Sequence, residues 1–175
     1  VRPTICIASC ESLEGSRDNV FQGALAIELL NNASLIHVGI VDRDRIRRGK
    51  LTVAAQFDDF TAMLVGDLLF SISFKVASRY YNDPRIIGTL SETVFSMVNG
   101  GSLAVKLRDE INVNEETYIE IAKLKTAALF RAASTIGAIC GRAEQSKISS
   151  MSNFGTTLGV AFQIKDDLLG LIGKE

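Results

Sequence analysis

Apolar residues recur near helical spacing along most of the chain. Between Phe21 and Val41, the positions Leu25, Leu29, Ile36 and Ile40 predict one long helix. Val53 to Tyr81 reads the same way and is closed by Asn82-Asp83-Pro84, a turn signal. Pro84 to about Leu107 predicts another helix, weakened in its latter half by Gly100-Gly101. Asn112-Val113-Asn114 reads as a linker. Asn114 suits an N-cap, with Glu115 and Glu116 well placed in the first turn of a helix running to about Cys140. A last helix is predicted over Asn153 to Leu171, bounded by Gly173. The only prolines are Pro3 and Pro84, so long stretches are free of helix breakers. No run alternates with strand period between turn signals. The pattern predicts an all-α fold, one domain over residues 1–175, built as a bundle with its cavity between facing helices.

Composition narrows the function without choosing it. A length of 175 residues fits one domain. At 47% hydrophobic and 22% charged the chain reads as folded and soluble. A net charge of −1 leaves no basic excess for nucleic acid. Cys6, Cys10 and Cys140 with a single histidine argue against a disulfide framework or a zinc site, and for a reduced, cytoplasmic setting. No apolar run is expected to span a membrane free of charged and polar residues, and no signal peptide precedes Arg2.

The most telling chemistry lies in Phe162-Gln163-Ile164-Lys165-Asp166-Asp167-Leu168-Leu169-Gly170. On a helix, Gln163, Asp166, Asp167 and Gly170 share one face at i, i+3, i+4 spacing. Two carboxylates with an amide one turn earlier suit a divalent cation that also carries phosphate oxygens, because Mg²⁺ takes few protein ligands. A bare Asp-Asp pair is far more often a solvated acidic turn. Its surroundings decide between these.

Those surroundings match, in order, several stretches of one family. They are Arg2-Pro3, Leu35-Ile36-His37, Asp42 with Arg47-Arg48-Gly49, Gly66-Asp67-Leu68-Leu69-Phe70, Lys125-Thr126-Ala127, and Gly159-Val160-Ala161-Phe162-Gln163 leading into Asp166-Asp167. Taken together, the chain resembles the trans-polyprenyl diphosphate synthases. The resemblance implies a helical bundle of the isoprenoid synthase type, apparently truncated at both ends relative to the family. It also implies condensation of isopentenyl diphosphate with an allylic diphosphate, Mg²⁺ as cofactor, and a homodimer or a heterodimer with a related subunit. By the same resemblance Asp42, Asp166 and Asp167 are metal ligands. Lys125, Thr126 and Gln163 serve the allylic diphosphate and its departure, and Arg2, Arg47 and Arg48 bind diphosphate oxygens. His37, the only histidine, is read as a packing residue.

The chain departs from the family pattern at definite places. The first aspartate-rich motif reads Val38-Gly39-Ile40-Val41-Asp42, so only its last carboxylate remains. Ser102 and Val105 stand where the family has glutamate and glutamine, Leu51 where proline is usual, and Gly170 where the fullest second motif has a third aspartate. Three hypotheses follow: a prenyltransferase, a noncatalytic subunit of a heteromeric synthase, or an all-α interaction protein without diphosphate chemistry. For the prenyltransferase, the hydrocarbon is expected to run along the turns before position 38. Ser34 and Ala33 leave that floor open, Leu30 is the next barrier, and a product of about twenty carbons or more is expected, one turn of about 5.4 Å adding roughly one isoprene unit.

Overall fold

The computed structural model describes residues 1–173, almost entirely as helices. They are α1 (Arg2–Glu11), α2 (Arg17–Val41), a single turn α3 (Val53–Gln56), α4 (Asp59–Tyr80), α5 (Pro84–Lys106), α6 (Glu115–Ile121), α7 (Ala128–Cys140) and α8 (Gln145–Ile172). A π-helical turn, Ala122–Ala127, joins α6 to α7 without interrupting the helix axis. The only strands among the described residues form a two-stranded ribbon, β1 (Ile46–Arg47) paired antiparallel with β2 (Lys50–Leu51). The all-α bundle expected from the periodicity is the one observed.

The boundaries show where local chemistry refines the pattern. The Val53–Tyr81 helix is broken at Phe57-Asp58, because Asp58 caps a new helix by accepting from the Thr61 amide at 2.6 Å. Asp83 caps α5 with Pro84 in its first turn, where a missing N–H costs nothing. The last helix starts at Gln145 rather than Asn153. The helix α1 escaped the periodicity, since its ten residues are too few to display a face. The ribbon escaped it too, being two residues per strand.

α7 is the axis of the molecule. Nearly every residue from Ala128 to Cys140 is buried, so this helix is apolar all round rather than amphipathic. α1, α2, α5 and α8 pack around it, and α4 lies along α2. Ile27, Leu30, Leu90, Leu129, Phe130 and Ile136 make the bulk of the core. Cys6, Cys10 and Cys140 are free thiols buried within it, and burial pushes Cys140 up to about 11, so they behave as small apolar groups.

α2 and α4 are long and apolar enough, by length and composition, to cross a membrane, contrary to the expectation that no segment reaches that threshold. In α2 those apolar residues include Ile27 and Leu30, spent on the core. Along α4 the residues Phe60, Leu64 and Leu68 remain exposed on one stripe.

Glycines set the closest approaches. A Cβ on Gly23 would lie 2.8 Å from Ile136 Cγ2 on α7 and 3.3 Å from the Tyr81 hydroxyl. That hydroxyl sits inside the α2 ladder: it accepts from Gly23 N at 2.7 Å and donates to Asn19 O at 2.9 Å, the pair that would otherwise bond directly. Gly88 on α5 faces open space. Gly23→Ala is therefore expected to cost about 1–3 kcal/mol of stability through overpacking, whereas Gly88→Ala should gain about 0.5–1 kcal/mol through lost backbone entropy in the unfolded chain. Opposite shifts of the urea midpoint are the readout.

Candidate active site

The site is built where α8 meets the π-helical turn. A π turn widens the helix by one residue and re-aims the side chains it carries, here Lys125 and Thr126. Two glycines bring neighbours onto it. A Cβ on Gly100 of α5 would lie 2.6 Å from Lys125 N and 2.7 Å from Leu124 Cβ. On α8, a Cβ on Gly159 would strike Ala127, one on Gly155 would lie 2.7 Å from Phe130 O, and both would have to push α8 outward. The glycines read from sequence as weakening α5 are thus split in role: Gly100 is a contact point, and Gly101 has open space.

With α8 seated this closely, a relay of hydrogen bonds crosses three elements. Thr126 Oγ1 donates a short bond to Gln163 Oε1. Gln163 Nε2 donates to Asp167 Oδ1 at 2.9 Å, and Tyr118 Oη on α6 donates to Asp167 Oδ2 at 2.6 Å. Each oxygen of the Asp167 carboxylate has one donor, which fixes its plane. Partial burial, and then the bond to Asp167, pushes the Tyr118 phenol up to about 12, so it stays a donor at neutral pH. Asp166 stands beside this relay, exposed. Sequence reading missed Tyr118, although it lies seven residues before Lys125, two turns along the same helical face.

Next to the relay is a cavity of about 900 Å³ between α2, α5 and the π turn. Lys125, Thr126, Arg2, Ser34 and Asp42 line it, over an apolar wall that includes Val38, Met97 and Leu129. Gln163, Asp166, Asp167, Arg47 and Arg48 are not among its lining residues. The wall assignment divides in the same way. Ser34 lines the cavity with Asn31 a turn below it, whereas Ala33 and Leu30 are fully buried in the protein interior. Asn31, Ser34, Leu35 and Val38 form the cavity stripe of α2; Ala33 sits about 100° round the helix from Ser34 and so faces away.

The arginines occupy three different settings. Arg2 is the first residue of α1, and its guanidinium lies over the Phe130 ring at 4.7 Å and toward Phe162 at 6.0 Å. Its Nε is buried with no hydrogen-bond partner among the described residues, and burial lowers its pKa, Glu28 opposing that shift and Arg48 adding to it. A buried guanidinium nitrogen without a partner, beside a second guanidinium, has the chemistry to accept an anion. Arg48 supplies that second charge from the ribbon turn, where it (φ 52°) and Gly49 (φ 75°) both take the left-handed conformation of a tight hairpin. Arg47 is held by Asp44 at 2.5 Å.

Asp42 ends α2 and is paired with Arg108 at 2.9 Å, an arginine just past α5 that no sequence signal marked. His37 packs α2 onto α4, with Nε2 3.2 Å from Met63 O and 3.5 Å from Asp67, its ring against Phe70, and Gly66 leaving room for it. This is the packing role the sequence suggested.

Magnesium fits one side of this arrangement. Asp166 and Asp167 offer exposed hard oxygens on one helix turn, as Mg²⁺ requires when phosphate completes its shell. On the opposite side Val38 presents methyl groups to the cavity and the lone Asp42 is neutralised by Arg108, so the residues there do not fit the cation.

A helical bundle with a cavity between its helices and paired aspartates on a neighbouring helix is the architecture of the isoprenoid synthases. The chain belongs to the polyprenyl synthetase family, whose model (Polyprenyl synthetase) matches residues 1–175. It is 36% identical over 186 residues to the geranylgeranyl diphosphate synthase of Sulfolobus acidocaldarius, which covers 100% of this chain and 55% of the relative. It is 35% identical to the geranylfarnesyl diphosphate synthase of Methanosarcina mazei, covering 100% of this chain and 60% of the relative. The crystal structure of geranylgeranyl pyrophosphate synthetase from Pyrococcus horikoshii superposes with a TM-score of 0.95 at 36% identity, over 100% of this chain and 55% of that one. The chain therefore spans about half the length of the curated relatives it matches.

The relay makes a coupling prediction. Thr126→Val and Tyr118→Phe should each cost about 0.5–1.5 kcal/mol in urea unfolding. The double variant should fall short of their sum by at least about 0.5 kcal/mol, because both act through Gln163 and Asp167. Additive costs would mean that the relay does not act as a unit.

Proposed function

We propose that the protein carries the substrate-binding part of a trans-prenyltransferase, one that joins isopentenyl diphosphate to an allylic diphosphate and gives a product of about twenty carbons or more. The observation that carries this reading is the cavity itself. Its volume of about 900 Å³ falls in the range of about 300–1,000 Å³ usual for small-molecule sites. It joins an apolar wall to Lys125 and Thr126, and Thr126 is tied through Gln163 to Asp167 of the aspartate pair on α8. The named products of the geranylgeranyl and geranylfarnesyl diphosphate synthase relatives support the chain length. A cytoplasmic setting and a homodimer, or a heterodimer with a related subunit, belong to the same reading.

In this mechanism Asp166 and Asp167 would hold Mg²⁺, which would supply positive charge against a departing diphosphate. Lys125 adds a fixed ammonium at the cavity wall, and Thr126 and Gln163 hold the carboxylate side in register. In this reading Arg2 and Arg48 hold the second diphosphate, which the unpartnered Arg2 Nε supports. Val38, Met97 and Leu129 receive the hydrocarbon and keep water from the reacting carbons.

A second reading, a noncatalytic subunit of a heteromeric synthase, is favoured by one observation: the first motif holds Val38, Gly39 and an Asp42 already paired with Arg108. Turnover of isopentenyl diphosphate plus an allylic diphosphate, measured alone and then with a full-length synthase, separates the two. Activity alone supports the first; activity or altered product length only with the partner supports the second.

Binding of Mg²⁺ together with an allylic diphosphate should depend on the second motif. Calorimetry on Asp166→Ala and Asp167→Ala is expected to show binding weakened at least tenfold, and unchanged binding would remove these residues from the site. If Val38 and Gly39 limit turnover, Val38→Asp with Gly39→Asp should raise it by orders of magnitude, each tenfold being about 1.36 kcal/mol of barrier. In that repaired chain Ser34→Phe should shorten the product, since Ser34 lines the cavity. Ala33→Phe should instead lower stability, since Ala33 has no exposed surface.

A further inference from the structure

The first-motif end of the cavity is chemically unlike a metal clamp. Val38 lines it with methyl groups, and the one carboxylate, Asp42, is bound by Arg108 Nη2 at 2.9 Å. Lys106 and Arg108 reach the same cavity from the end of α5, Lys125 from the π turn and Arg2 from α1. Four cationic side chains thus face a single carboxylate, in a chain whose net charge is −1. Below them the wall is apolar, with Val94, Met97, Val98 and Leu129. An anionic head on a long hydrocarbon tail matches both halves.

We propose that the first-motif end of this cavity holds a prenyl diphosphate through its own cations rather than through a divalent metal, with Arg108 standing where a first-motif metal would be and exchanging Asp42 for the diphosphate. The inference rests on the prenyl diphosphate reading of the site. The exchange is favoured for a stated reason. The Asp42–Arg108 pair is half exposed on both sides (38% and 51%), and exposed pairs are weak because water screens them. A diphosphate carries more charge than one carboxylate and accepts two parallel bonds from a guanidinium. Lys106, the last residue of α5, adds charge without having to move between elements. Asp42 is then a competitor of the ligand rather than a support for it, the reverse of its role in a metal-dependent clamp.

That reversal supplies the test. Geranylgeranyl thiolodiphosphate, which resists ionisation, is titrated into the protein by calorimetry in excess EDTA and again in Mg²⁺. Expected are measurable binding in EDTA, tightened by Mg²⁺ at the α8 aspartates, at least tenfold weaker binding for Arg108→Gln in EDTA, and equal or tighter binding for Asp42→Asn. Arg108 is exposed enough for that variant to fold, and circular dichroism checks it; Lys106→Gln, also exposed, should weaken binding in the same direction. Geranylgeraniol, which has the tail without the charge, should not distinguish Arg108→Gln from the parent. Binding seen only with Mg²⁺, or lost on Asp42→Asn, overturns the metal-free site while leaving the prenyl diphosphate reading in place. No binding under either condition overturns both.

Discussion

The close seating of α8 on the π turn and α7 is the contact on which the site depends. Gly155 and Gly159, one turn apart, let the α8 backbone meet Phe130, Ser134 and Ala127 with no side chain between them. Ser134 ties the same interface by donating to Met151 O at 2.7 Å. One turn further on, Gln163 reaches Thr126, and one turn beyond that Asp167 reaches Tyr118. A methyl group at either glycine would lift α8 by part of its diameter, and the hydrogen bonds of the relay tolerate only a few tenths of an ångström before they weaken. Helix packing thus sets the geometry of the polar chemistry, not the reverse.

The two flanks of the cavity have separated in character. On the α8 side, carboxylates are exposed, oriented by neutral donors and open to a cation. On the α2 side, valine and an internal ion pair have replaced the carboxylate array, and the charge at the mouth has turned positive. Opposite charge requirements can coexist here because the flanks lie on different helices and α7 holds those helices apart. Arg2 reaches the cavity from α1: its guanidinium is stacked on aromatic rings, which orders a long flexible side chain without a salt bridge among the described residues.

Much of the fold was legible in the chain because helical periodicity needs only local information. The helices over Phe21–Val41 and Pro84–Leu107, and the continuous stretch from Asn114 to Cys140, follow from apolar spacing, Asp83-Pro84 and the Asn114 cap. The Asp58 cap was equally local, but a carboxylate within an apolar stretch does not announce whether it stops a helix. α1 and the ribbon carrying Arg47 and Arg48 were too short to leave a periodic signal. The order of motifs along the chain identified the family.

What the sequence by itself determined was therefore the helices, the shared face of Gln163, Asp166 and Asp167, and the loss of carboxylates at Val38 and Gly39. Only the tertiary structure decided that Tyr118 holds Asp167, that Arg108 neutralises Asp42, that Arg2 is buried against Phe130, and that Ser34 rather than Ala33 faces the cavity. The reason is the range of each interaction. Residues three or four apart on one helix are neighbours whatever the rest of the chain does. Asp42 and Arg108 lie sixty-six positions apart, and Tyr118 and Asp167 forty-nine, so their meeting depends on how whole helices pack and on glycines that set the packing distance.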